Sequence, residues 1–214
     1  MYLKKILGEY FGTAILALAI VGSGIMGSNL TKDGALSLFI NALGTAIGLA
    51  VAIGLVGKIS GAHLNPAVTL IMLITKRIQL TQFALYSIAQ ILGAISGVVL
   101  GNYIFGANAI ESSSQLRNGT NLFISEIIAT AVLVWIILSN LENFEKIATY
   151  VPLWIFGGIL FTSSTAFANP AITIGRGFTN SATGIAPESI ITFICAQIIG
   201  AVLGLGAAKV FKNE

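Results

Sequence analysis

Apolar positions in this chain gather into runs of about 20 residues, the length a helix needs to cross the hydrocarbon of a bilayer. The runs are Ile6 to Met26, Ala35 to Val56, Phe83 to Phe105, Leu122 to Leu141, Ile147 to Phe161 and Ser189 to Val210. Six membrane-spanning helices are the simplest reading. The first run follows Lys4 and Lys5 and ends in Gly22, Ser23 and Gly24, in imitation of a signal peptide. Its apolar stretch is too long for one and Glu9 interrupts its start, so a retained helix is expected. Two further stretches, Lys58 to Thr81 and Ser163 to Pro187, are moderately apolar, too short to span, and broken by Gly and Pro. Irregular backbone at membrane depth is tolerated only inside protein or beside a watery cavity. Two re-entrant segments around a pore are therefore expected, with two ordinary loops as the plainer alternative.

Both short stretches carry the same tripeptide, Asn65-Pro66-Ala67 and Asn169-Pro170-Ala171, each followed by a threonine, Thr69 and Thr173. Glu9 opens Glu-Tyr-Phe-Gly-Thr-Ala in the first span, and Glu126 opens Glu-Ile-Ile-Ala-Thr-Ala in the fourth. Gln90-Ile91-Leu92-Gly93-Ala94 in the third span returns as Gln197-Ile198-Ile199-Gly200-Ala201 in the sixth. The landmarks recur in the same order between 104 and 117 positions later. Two copies of a unit of three spans and one half-helix follow. Three is odd, so the second copy lies upside down, and a pseudo-twofold axis in the membrane plane brings the two short segments together near the midplane. The expected fold is an all-α membrane protein of six transmembrane helices plus two re-entrant half-helices. It forms one domain over residues 1–214, with a first repeat over 1–106 and an inverted second repeat over 107–214.

Composition narrows the class further. Of 214 residues, 56% are hydrophobic and only 9% charged, and the mean hydropathy is +0.92, against about 25% charged in an ordinary soluble domain. A soluble globule is excluded, and no room remains for a large domain outside the membrane. The formal charge of +3 comes from basic residues scattered over short loops, so nucleic acid is not implied. With the N-terminus inside, Lys4, Lys5, Lys58, Lys76, Arg77, Lys146, Lys209 and Lys212 lie on the inner side, and Lys32, Arg117 and Arg176 on the outer. That asymmetry orients both termini to the cytoplasm of a cell membrane. The single cysteine, Cys195, lies in an apolar run and is expected as a small packing residue.

A proline directly after each asparagine suits the first turn of a helix, where its missing N–H has no partner to lose. Asn65 and Asn169 become caps, and half-helices over Pro66 to Thr75 and Pro170 to Phe178 aim their positive N-terminal ends at the membrane centre. Two such ends meeting make a barrier to cations and protons, while the asparagine amides offer N–H donors to a passing water or hydroxyl. A channel for neutral solutes follows. A coupled secondary transporter is the alternative of another class, since midplane half-helices also hold anionic substrates there. Glu9 and Glu126 are ionisable groups inside spans and invite a functional reading. Their recurrence at one place in both repeats favours support of the re-entrant backbone over a proton relay. Gln90 and Gln197 read as interhelical hydrogen-bond formers, and the many glycines as close-packing residues. His63, the only histidine, is expected at the inner mouth. It has no cysteine or acidic cluster near it, so no metal or cofactor is expected, and without a catalytic partner no enzyme either.

The run Ser60-Gly61-Ala62-His63-Leu64-Asn65-Pro66-Ala67-Val68-Thr69, with the second Asn-Pro-Ala in the other half, resembles the major intrinsic proteins, the aquaporins and aquaglyceroporins, over essentially the whole chain. The resemblance implies an aquaporin-like fold, a homotetramer with one pore per subunit, and passive conduction of water or small uncharged solutes such as glycerol. It assigns the paired pore asparagines to Asn65 and Asn169, and loop-holding glutamates to Glu9 and Glu126. The outer selectivity filter departs from the family. Arginine usually follows the second Asn-Pro-Ala at once, but Ile172 stands there, and Arg176 lies one helical turn, about 6 Å, further out at about 1.5 Å per residue. By the family's spacing the second-span filter position falls on Thr45, the fifth-span position on Gly157, and the loop position on Ala166, with Phe167 taking that role if the loop shifts by one. Small residues at three positions imply a wide filter. The segment Asn169 to Pro187, with its delayed arginine, resembles a bacterial subgroup associated with neutral metalloid acids such as arsenous acid.

Overall fold

Prolines, caps and left-handed residues decide where the apolar runs stop being helical. In the computed structural model, which describes residues 2–211, the long helices are α1 (Tyr2–Leu30), α2 (Gly34–Ser60), α4 (Leu80–Ile104), α5 (Thr120–Ser139), α6 (Phe144–Phe161) and α8 (Pro187–Val210). All six are long and apolar enough to cross a membrane. Between them lie two short helices, α3 (Pro66–Ile74) and α7 (Pro170–Gly175). The protein is therefore an all-helical membrane protein with six spans and two half-helices. Lys212, counted above on the inner side, lies outside the described residues.

The α2 helix starts behind Asp33, whose carboxylate accepts from the Leu36 N–H at 2.8 Å. It ends at Gly61, where φ is +94°, a conformation that costs a residue with a Cβ. The α2 helix therefore runs on through Lys58 to Ser60 and α4 already begins at Leu80, so the first re-entrant segment is shorter than the hydropathy implies. The second half-helix also differs from expectation. It is α-helical only to Gly175, and Arg176 to Phe178 tighten into a 3-10 turn, as helix ends often do.

Packing follows the repeat. The α1 helix lies against α2 and α4, α5 lies against α8 and α6, and α2 meets α6 across the two halves. Small residues permit the closest crossings. A Cβ on Gly93 or Gly97 of α4 would strike the backbone carbonyl of Tyr10 or Ala14 in α1, and one on Gly200 or Gly204 of α8 would strike that of Ile127 or Ala131 in α5. Each pair is a small-xxx-small ridge that brings two backbones together. Gly97→Val should therefore separate α1 from α4, at a cost of about 1–3 kcal/mol or more for overpacking. Thermal melting in detergent checks this, and an unchanged midpoint would show that the crossing tolerates the extra bulk.

The outward faces stay apolar. On α2, Leu43, Ile47, Val51 and Leu55 are all exposed, while Thr45, Leu49 and Ile53 on the opposite side are buried. That inversion of the water-soluble pattern is what a lipid surround requires. It also explains why Cys195 departs from expectation: it is exposed on α8 rather than packed in the core. Lipid-facing and core-facing positions are both apolar in such a chain, so an apolar run does not tell them apart.

Candidate functional site

Each re-entrant segment is held by one buried glutamate. Glu9, fully buried in α1, accepts from Ser60 Oγ at 2.6 Å, from the N–H of His63 at 3.0 Å and of Leu64 at 2.6 Å, and from Gln90 Nε2 at 2.7 Å. Glu126 in α5 repeats the set. It accepts from Ser164 Oγ at 2.6 Å, from the N–H of Phe167 and of Ala168 at 2.9 Å, and from Gln197 Nε2 at 2.7 Å. The two glutamines also donate to Thr69 Oγ1 at 3.0 Å and Thr173 Oγ1 at 2.8 Å. Four donors therefore converge on each carboxylate. The backbone they secure is strained: Ala62 and Leu64 in one segment, and Thr165, Ala166 and Ala168 in the other, all have φ between +43° and +60°.

The loops deliver the two asparagines to one point. Asn65 Oδ1 caps α3 by accepting from the Ala67 N–H at 2.9 Å, and Asn169 Oδ1 caps α7 through Ala171 at 3.0 Å. Their amides cross over: Asn65 Nδ2 donates to the carbonyl of Ala168 at 2.7 Å, and Asn169 Nδ2 to that of Leu64 at 2.7 Å. An NH2 group has two hydrogens, so each amide keeps one for the lumen. Both asparagines line a cavity running down the centre of the bundle. Its walls are stripes at helical spacing, Asn41, Thr45, Leu49 and Ile53 on α2 facing Ile147, Val151, Ile155 and Ile159 on α6.

Of the filter positions expected from spacing, Thr45, Ala166, Phe167, Ile172 and Arg176 all border this cavity. Thr45 is buried, and its Oγ1 has no hydrogen-bond partner among the described residues. Gly157 does not border it. A Cβ there would meet the Phe161 ring at 2.8 Å, while Ile155 and Ile159 hold the wall on α6. The gap expected at that position is filled by branched side chains. Counting residues back through the irregular loop does not preserve helical phase, and Gly157 lies about 200° round the helix from Ile155. The methyl of Ala166 packs at the Cα of Gly158.

Arg176 is buried, and its guanidinium carbon sits 3.3 Å above the centroid of the Phe167 ring. Its Nε donates to the carbonyl of Thr183. Phe167 is thus a platform for the arginine, braced edge-on by Phe193 at 5.1 Å. The inverted counterpart is at the other mouth, where His63 meets Tyr86 edge-on at 5.4 Å, lies 3.3 Å from Thr69 Oγ1 and lines the cavity.

Beyond Arg176 the cavity, about 60 Å³, opens into a vestibule of about 530 Å³. Asn41, Thr165 and Arg176 border both, so they stand where the two spaces adjoin. Sequence reasoning missed Asn41, although a polar residue four before Thr45 on the same helix face was the available signal. It also placed Arg117 only on the outer side. The loop of residues 105–119 carries Arg117 over the second re-entrant segment, where its Nε donates to Gly184 O at 2.8 Å and its Nη2 to Ala182 O at 3.0 Å. That puts its guanidinium carbon 5.0 Å from the Phe167 centroid, where burial lowers its pKa and Glu126 partly offsets this. Contacts so distant in sequence leave no local signal.

The family model described as Major intrinsic protein matches residues 1–163. The chain is 39% identical over 207 residues to aquaglyceroporin AqpS of Rhizobium meliloti, covering 96% of this chain and 89% of that protein. It is 33% identical over 187 residues to aquaporin TIP1-1 of Arabidopsis thaliana, covering 81% and 74%. Its fold superposes on the X-ray structure of the aquaglyceroporin from Plasmodium falciparum with a TM-score of 0.80 at 24% identity, covering 99% and 98% of the two chains. Inverted half-helices, crossed asparagines and mirrored glutamates agree with these matches: the chain belongs to the major intrinsic protein family.

Proposed function

We propose that the protein is a passive transmembrane channel for water and small uncharged solutes. The observation that carries this reading is the pair of half-helix N-termini meeting at Asn65 and Asn169, whose amides share themselves between the opposite loop and the lumen. Partial positive charge at two helix ends opposes cations and protons, and spare N–H groups replace the hydrogen bonds a neutral solute leaves behind in water. Glu9 and Glu126 act as loop supports, since each is saturated by four donors. That removes the two acidic groups a coupled transporter or a proton relay would use.

Glycerol-like solutes, or neutral metalloid acids such as arsenous acid, form the narrower reading. It is favoured by the unpartnered Thr45 hydroxyl in the lumen and by the printed name of the Rhizobium relative. Arg176 on its Phe167 platform is the filter cation in this account, and His63 borders the cytoplasmic mouth. The excess of basic residues on the side of the chain ends supports a cell membrane location with both ends in the cytoplasm. Exposed apolar stripes supply the surface for lipid and for a homotetramer, and residues 1–106 and 107–214 form the two inverted repeats of one domain.

The test is stopped-flow light scattering on reconstituted vesicles challenged with an impermeant osmolyte, glycerol and urea, beside an uptake assay for arsenous acid. Water flux well above that of empty vesicles is expected. Folded protein with no such flux would refute the channel. Arg176→Ala should enlarge the range of solutes admitted; an unchanged range would place that arginine in the vestibule wall instead of the filter.

A further inference from the structure

Asn41, Thr165 and Arg176 border both the central cavity and the vestibule and so mark the level where the two spaces adjoin. This is one helical turn nearer the vestibule than Thr45 and Ile172, and the shift is matched on both sides. Asn41 precedes Thr45 by four residues on α2, and Arg176 follows Ile172 by four on the second half-helix. The two elements run in opposite directions through the membrane, so both displacements point the same way, each about 6 Å at about 1.5 Å per residue.

The orientation of the Asn41 amide follows from its neighbours. Nδ2 donates to the carbonyl of Ile20 at 2.8 Å and to Ser23 Oγ at 3.0 Å. The Ser23 hydroxyl spends its own hydrogen on the carbonyl of Ala19. Both groups facing Nδ2 are therefore acceptors, and turning the amide over would set oxygen against oxygen. Oδ1 is held away from α1, and among the described residues it accepts no hydrogen bond. Arg176 is complementary. Its Nε is committed to the Thr183 carbonyl and its face to Phe167, while its two Nη groups have no protein acceptor among the described residues. Both side chains border the cavity and the vestibule, and Gly24 of α1 lies against Asn41 Nδ2 and against Thr183, whose carbonyl accepts from Arg176 Nε.

We propose that Asn41 is a specificity-determining residue of this channel. Its Oδ1 and the Arg176 guanidinium offer an acceptor and a donor where the cavity meets the vestibule, a junction that passes solutes whose hydroxyl or N–H groups donate to one while accepting from the other. The proposal rests on the channel reading above and adds the residue, Asn41, and the level at which the channel's solutes are chosen.

Asn41→Leu keeps the side-chain size and deletes the acceptor. In reconstituted vesicles the ratio of glycerol to water permeability is expected to fall about fivefold, the worth of one typical hydrogen bond. Asn41→Ala opens the space as well, and should admit solutes larger than the wild type does. If the branched leucine side chain keeps Asn41→Leu from folding, Asn41→Ala, which adds no bulk against α1, decides alone. The proposal is overturned if every folded Asn41 variant keeps both the wild-type ratio and the wild-type size limit. In that event Thr45→Phe blocking the solutes would place selection one turn deeper. A wild-type protein with no flux at all overturns the channel reading instead, and the two failures are thereby distinguished.

Discussion

Replacing Glu126 with alanine is expected to abolish both the folded state in mild detergent and the water permeability of reconstituted vesicles. The substitution strands Ser164 Oγ, the N–H groups of Phe167 and Ala168, and Gln197 Nε2, all of which converge on the carboxylate. Each buried donor left without an acceptor costs about 1–3 kcal/mol, and lipid offers no water to replace the missing partner. The same bonds hold Thr165, Ala166 and Ala168 at positive φ, a conformation that costs about 1–2 kcal/mol per residue with a Cβ. Four acceptor contacts outweigh three strained residues, so the loop keeps its shape only while the carboxylate is present. Glu126→Gln should fall between, since one oxygen remains while its new NH2 faces other donors. Glu9→Gln should behave alike, because Glu9 has the matching set of partners. Melting by size-exclusion chromatography and vesicle shrinkage read the two effects. A Glu126→Ala protein with wild-type melting and flux would show that the loop is held by other contacts.

The second large effect is expected from Asn169→Asp. The amide that donates to the Leu64 carbonyl at 2.7 Å becomes an oxygen facing an oxygen, and a negative charge enters the lumen between two positive helix ends. Attraction between that charge and a cation about 4 Å away amounts to about 4 kcal/mol at an effective dielectric of about 20. Every 1.4 kcal/mol is about tenfold in occupancy, so the barrier to small cations should fall by nearly three decades wherever the protein still folds. Asn169→Ser removes the donor without adding charge and should keep cations out. Potassium efflux from vesicles, measured beside water flux, separates the two. Undiminished exclusion of potassium by folded Asn169→Asp protein would mean that the helix ends do not form the barrier.

Much of this arrangement was legible before any coordinates. Six spans could be read from run length, because the bilayer imposes a length and excludes charge. The crossing of two half-helices followed from an Asn-Pro-Ala repeated in two units of odd span number, and the loop-holding role of Glu9 and Glu126 from their recurrence. What failed was positional arithmetic through irregular backbone. Gly157, found by counting back from Asn169, faces Phe161, because a single residue of error on a helix turns a side chain by about 100°. Phe167, expected in the filter if the loop shifts by one, borders the cavity beside Ala166 and is also the platform under Arg176, a contact no spacing announced. Cys195, expected as a small packing residue, is exposed on α8, since lipid and protein interior ask for the same apolar side chains.

By itself the sequence determined the membrane class, the repeated motifs, and the four residues, Asn65, Asn169, Glu9 and Glu126, that meet the two re-entrant segments. These rest on local or periodic constraints, namely span length, helix capping and repeated motifs, which act over a few neighbouring residues. Only the tertiary structure decided that the cavity meets the vestibule at Asn41, Thr165 and Arg176, and that Arg117 reaches Phe167 from a loop 50 residues away. Those positions are the product of helix phase, crossing distance and loop path acting together, and no stretch of chain contains all three.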